Sequence, residues 1–209
     1  KILSSLTIIF TVFALTNIVH AIDPDKALAD LQETTLSTGP QGESPVSASE
    51  INLTDAEIDK IKSMNATAVI PMHIMSGDWS QAQINGLKYQ FEIMGVEVLA
   101  VTDAGFKAEK QVSDIETLLA KNPDILISIP TDPTATAPAY RKAAEQGVIL
   151  VFMDNVPNGF VAGKDYISAV SADNMGNGVA SAHLMAKALN QQGEIGIIFH
   201  AADFFVTAQ

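Results

Sequence analysis

The 209-residue sequence predicts an α/β fold built on a doubly wound parallel sheet. From Ala66 onward, short apolar runs alternate with segments whose apolar residues recur at helical spacing, the pattern of strands joined by crossover helices. The connections are short, as in right-handed β-α-β units. The run Ile149–Met153 is apolar without a break, follows Gly147 and ends on Asp154 and Asn155. That is the expectation for a strand buried on both faces that delivers polar groups to the carboxyl rim of the sheet, where ligands of such folds bind.

The elements follow in order. Residues 66–74 read as the first strand, although Pro71 is awkward in a central strand because it cannot donate to the ladder. Asp78 and Gln81 open a helix with Ile84, Leu87, Phe91 and Met94 on one face, and Gly95 ends it. Residues 96–101 form the second strand. Residues 107–120 form a helix buried through Val112, Ile115 and Leu119 and stopped by Asn122 and Pro123. Residues 125–129 form the third strand. Asp132 caps a helix with Pro133 at its first position, running to Gln146. The fourth strand is the run already described. A fifth covers 166–170, a helix covers 173–189, and a further strand covers 194–199.

Ahead of this alternation, residues 22–64 are a polar lead-in with loop marks at Gly39-Pro40 and Ser44-Pro45. Thr54 and Glu57 make a capping-box pattern that predicts a short helix through Ile58, Ile61 and Met64. Residues 2–19 are apolar apart from Ser, Thr and one Asn, with Lys1 in front and Val19-His20-Ala21 behind. This reads as a secretory signal peptide over 1–21, cleaved after Ala21, and hence as periplasmic export. The other reading of the same stretch is a membrane anchor.

Composition excludes several functions. The net charge of -12, without a Lys or Arg cluster, argues against nucleic-acid partners. With no Cys there are no disulfides, thiolate metal sites or Cys nucleophiles. The four His are scattered without metal-ligand spacing, so no metal is expected. No P-loop or Ser-elbow pattern occurs. Gly176-Asn177-Gly178 follows a strand and enters a helix, as in a dinucleotide fingerprint, but Ser181 replaces the third Gly and no earlier part of a β-α-β fingerprint supports it. No cofactor, catalytic residue or enzyme activity is therefore expected.

The strand ends share a chemistry. His73, Asp78 and Trp79 follow the first strand, Asp103 the second, Thr131 and Asp132 the third, and Asp154 and Asn155 the fourth. Ser171, Asp173 and Asn174 follow the fifth, and His200, Asp203, Phe204 and Phe205 the last. Acids and amides suit hydroxyl groups, and aromatic rings cover the apolar face of a sugar. Candidate ligand contacts are Trp79, Asp154, Asn155, His73, Asp78, Ser171, Asn174 and Phe204. Asp78, Asp132 and Asp173 also stand where helix caps belong. Asp154 could instead cap a turn, since Pro157 and Gly159 follow it.

The series Ile129-Pro130-Thr131-Asp132, then Val151-Phe152-Met153-Asp154-Asn155, then Ser171-Ala172-Asp173-Asn174 with Gly176 and Gly178 resembles the periplasmic sugar-binding proteins of ABC transporters, the ribose-binding type most closely. In that family two α/β lobes close on a sugar. The resemblance implies a first lobe over 65–171 and the start of a C-terminally truncated second lobe over 172–209. It implies an aromatic stacking on the sugar at Trp79 and a carboxylate taking two sugar hydroxyls at Asp154. The sequence departs from ribose binders at Asn155, where they carry Arg, at Ile129, where they carry Asn, and at His73, where they carry Ser. The function it implies is a monomeric periplasmic receptor that hands a sugar or polyol to an inner-membrane ABC permease. A membrane-anchored sensor ectodomain of the same fold is the alternative.

Overall fold

The computed structural model describes residues 22–198. The strands are β1 (Thr67–Met72), β2 (Glu97–Asp103), β3 (Ile125–Ser128), β4 (Ile149–Met153) and β5 (Ser168–Val170). The helices are α1 (Pro24–Gln32), α2 (Asp55–Met64), α3 (Asp78–Met94), α4 (Ala108–Leu119), α5 (Ala137–Glu145) and α6 (Asn174–Ala188). All pairings are parallel, in the order β2-β1-β3-β4-β5.

Side-chain alternation along the strands builds two cores. Val69, Leu126, Leu150 and Phe152 face Ile115, Leu118, Tyr140 and Ala143 of α4 and α5. Ala68, Ile70, Met72, Ile127 and Met153 face Ile84 and Phe91 of α3, with Ile61 of α2 alongside. Residues of opposite parity on one strand thus serve opposite faces. The sheet is covered on both sides, as a doubly wound fold requires.

Pro71 lies inside β1, which is a central strand. Pairing of β1 with β3 extends over Ala68 and Val69, so the N–H that Pro71 lacks is not needed in that ladder. Its carbonyl accepts instead from Ser128 Oγ at 2.5 Å and Gln111 Nε2 at 3.2 Å.

Three sequence expectations need correction. The helix expected from Pro133 begins at Ala137. Asp132 Oδ1 accepts from the N–H of Thr134 and Ala135 at 2.8 and 2.6 Å and so holds a turn ahead of the helix. A start at Pro133 would have put Pro138 in a helix interior, where it removes a hydrogen bond and clashes; at 137 it occupies the first turn. The strand expected over 194–199 does not form in its described part, residues 194–198. Ile197 and Ile198 are exposed there, and a strand has no stability without a neighbour to pair with. Asp78 is the first residue of α3 and not its cap; Gly77 takes that position at φ +93° without a side-chain bond.

The lead-in carries more structure than its composition suggested. The capping box is present: Thr54 Oγ1 accepts from Glu57 N–H, and the Glu57 carboxylate accepts from Thr54 N–H. Ahead of it, α1 is capped by Asp23 and packs against α6. Residues 34–43 then run back over the end of the sheet. Leu36 and Ser37 N–H donate to the Asp173 carboxylate, both at 2.9 Å, and Gln41 Nε2 donates to Phe160 O at 3.0 Å.

Candidate functional site

Parallel strands bring their carboxyl ends to one rim, and the strand order reverses between β1 and β3. That reversal is the topological switch point at which α/β sheets open a crevice. His73 follows β1 directly, and Asp154 follows β4. One strand, β3, lies between β1 and β4, so the two ends stand about 10 Å apart, a span suited to one small ligand.

At the β1 end, His73 is 9% exposed and its Nδ1 has no hydrogen-bond partner. Burial pushes its pKa below the ordinary histidine value, against a smaller opposing pull from Asp103, so the imidazole is neutral. Its ring meets Trp79 edge to face, centroids 6.0 Å apart, and Phe106 likewise at 5.1 Å. Both neighbours face solvent, Trp79 at 56% and Phe106 at 64% exposure. Asp103 stitches this corner together: its Oδ1 accepts from Gly105 N–H at 2.8 Å and Met75 N–H at 3.2 Å. Phe106 N–H donates to His73 O at 2.8 Å.

At the β4 end, Asp154 has φ +55°, an uncommon conformation for a residue other than Gly, Asn or Asp. Its N–H donates to Val170 O at 2.9 Å and extends the β4–β5 pairing. Its Oδ1 accepts from Ser171 Oγ at 3.2 Å, and Ser171 Oγ accepts in turn from Asn174 Nδ2 at 2.9 Å. No backbone N–H among the described residues donates to the carboxylate, so it is not a turn cap. Burial raises its pKa, partly offset by the Ser171 hydrogen bond. Asn155 is 9% exposed, with a buried Oδ1 that lacks a partner.

The sequence-predicted residues therefore separate into groups. Asp154, Ser171 and Asn174 form one hydrogen-bonded chain, beside which Asn155 lies buried. His73 and Trp79 form an aromatic corner. Asp78 is exposed, in the first turn of α3. Asp173 is the cap of α6, accepting from Gly176 N–H at 2.9 Å. Burial would raise its pKa, but hydrogen bonds from Leu36, Gly176 and Ser37 outweigh that and bring it down to about 2. Phe204, with His200, Asp203 and Phe205, lies outside the described residues. Sequence reasoning missed Phe106, whose only signal was a bulky residue after Gly105. It also missed Gln111, fully buried, which ties the rim to the sheet. Gln111 Nε2 donates to Ile129 O at 2.8 Å, and its Oε1 accepts from Thr131 N–H and Oγ1 at 2.8 and 2.7 Å. Among the described residues no group of three or more His, Asp or Glu gathers to hold a metal ion.

Residues 68–208 match the model of the periplasmic binding protein domain. The chain belongs to that family. A curated relative, the ribose import binding protein of Bacillus subtilis (strain 168), is 31% identical over 109 residues, covering 47% of this chain and 35% of the relative. Among solved structures, a myo-inositol binding protein from Caulobacter bound to myo-inositol is similar at 28% identity and a TM-score of 0.52, covering 60% of this chain and 41% of that one. An arabinose binding protein from Geobacillus stearothermophilus is similar at 26% identity and a TM-score of 0.53, covering 62% and 43%. The chain thus spans between a third and a half of the length of these relatives. They are sugar- and polyol-binding proteins, and the five-stranded parallel sheet is the fold they share with this chain.

Proposed function

We propose that the protein captures a neutral sugar or polyol in the periplasm and presents it to the permease of an ABC importer. Asp154 supports this most directly. A half-buried carboxylate, oriented by Ser171 and left with free acceptor capacity, is arranged to receive hydroxyl protons. Trp79 supplies an exposed ring for the apolar face of a sugar. In the rim loops 73–79, 103–107, 129–134, 154–158 and 171–174, Lys107 is the one Lys or Arg, which disfavours an anionic ligand.

In this reading residues 65–171 are the first lobe, residues 172–209 begin the second, and residues 1–21 are an export signal removed after Ala21. The role is binding without catalysis. The ligands named for the relatives define the first panel: D-ribose, D-arabinose and myo-inositol, with D-allose added because a structure of the same fold holds it. Titration calorimetry of the complete protein should give micromolar binding, about -8 kcal/mol, for at least one of them, with a change in the fluorescence of Trp79. Binding of anionic or amino-acid solutes together with silence toward every neutral polyol would refute the reading.

A further inference from the structure

The β2–α4 loop holds a residue whose conformation local structure does not account for. Phe106 has φ +59°, directly after Gly105 at φ +57°. Left-handed backbone is unfavourable for a bulky side chain, and such outliers persist where the surroundings hold them in place. Here the surroundings are specific. Asp103 Oδ1 grips Gly105 N–H, Phe106 N–H donates to His73 O, and Lys107 N–H donates to Ala104 O at 3.1 Å. The result is an apolar ring left 64% exposed at the carboxyl rim of the sheet. It touches the same His73 ring that Trp79 touches. Glycine would adopt this backbone without steric strain, so turn geometry does not call for a phenylalanine ring here.

We propose that Phe106 is a ligand-contacting, specificity-determining residue. With Trp79 it forms an aromatic wall around His73 that takes the apolar C–H face of a polyol, while Asp154 takes its hydroxyls. This rests on the polyol reading above. It assigns the β2 end of the sheet to the binding site, in addition to the β1 and β4 ends. A ligand contacting Phe106 carries a continuous C–H face, because an aromatic ring attracts C–H groups and apolar area and offers nothing to a hydroxyl in its plane.

The competing role for Phe106 is to shield His73 from water. Three substitutions in the complete protein separate the two roles: Phe106→Tyr, Phe106→Leu and Phe106→Gly. Each is titrated with D-ribose, D-arabinose, D-allose and myo-inositol and melted without ligand. Stacking predicts that Phe106→Tyr keeps affinity, while Phe106→Leu and Phe106→Gly each weaken it by about tenfold or more. The unliganded melting temperature of Phe106→Gly should not fall, since glycine relieves the backbone. Wild-type affinity in Phe106→Leu, or retained affinity with a lowered melting temperature in Phe106→Gly, would overturn the inference and leave the polyol reading standing. If the wild-type protein binds none of the four probes, the polyol reading fails and this inference fails with it.

Discussion

Asp154→Asn separates binding from folding more cleanly than any other substitution in the site. The asparagine keeps the shape, tolerates φ +55°, and retains an oxygen to accept from Ser171. What it removes is the charge and one acceptor oxygen. Hydrogen bonds to a charged group contribute ~1.5–3 kcal/mol, against ~0.5–1.5 kcal/mol for a neutral pair. An NH2 group also now faces any hydroxyl that used the second oxygen. The expected loss is therefore about tenfold or more in affinity. Stability should move the other way. Burial raises the folded-state pKa of Asp154, so its contribution to stability is fully present below the unfolded value of about 3.9 and is lost as pH rises through the folded value. At neutral pH the charged form is a cost to the unliganded fold, and Asp154→Asn should raise the melting temperature. Calorimetric titration and thermal melts on the same preparation check both halves. Unchanged affinity, or a melting temperature that falls at neutral pH, would refute the argument.

Other outcomes follow from the same structure. Burial depresses the pKa of His73, so its contribution is complete above about pH 6.5 and declines as pH falls from there through the lower folded value. His73→Phe should flatten the melting-temperature slope between about pH 7 and 5, and an unchanged slope would show that the histidine is hydrated. Gln111→Leu strips hydrogen bonds from Ile129 O and Thr131 N–H in a buried place, at ~1–3 kcal/mol per orphaned group. Urea melts should register about 2–6 kcal/mol, and a loss under about 1 kcal/mol would mean that water replaces the amide. Asp173→Ala removes the α6 cap and the anchor of Leu36 and Ser37. Stability at pH 7 should fall by ~1–2 kcal/mol, and the difference from wild type should shrink as pH falls from about 3.9 through about 2. Limited proteolysis should also cut faster within residues 33–43, and equal cutting rates would argue that other contacts hold that segment.

The parts of the fold that could be read from the sequence are those set by local periodicity. The spacing of Ile84, Leu87, Phe91 and Met94, the Thr54–Glu57 box and the run Ile149–Met153 each specify an element without help from distant residues, and each is found. Helix α1 went unseen because it buries no residue completely and is supported from far away, by packing on α6 and by the Lys187–Asp25 ion pair. Asp132-Pro133 misled because an Asx turn and a helix start look alike; Pro138, five positions later, held the information that distinguished them. In the candidate site, the strand-end position of Asp154 and Ser171 was legible, since a buried run ending on polar residues marks the rim. The link from Asn174 through Ser171 to Asp154 was not, because it depends on how β5 leads into α6. Phe106 carries no periodic signal at all. Its place is decided by backbone dihedral angles and by the hydrogen bond to His73 O, neither of which a residue pattern encodes.

The bond from Leu36 N–H to Asp173 joins groups 137 positions apart. The sheet residues 67–170 lie between them, so their strands can pair while the N-terminal segment is still unattached. Long-range contacts of this kind form late, because they need the intervening chain to be ordered first. Residues 22–43 are therefore expected to attach last, as a seal over an assembled sheet. Until then α1 lacks the surface of α6 on which it packs.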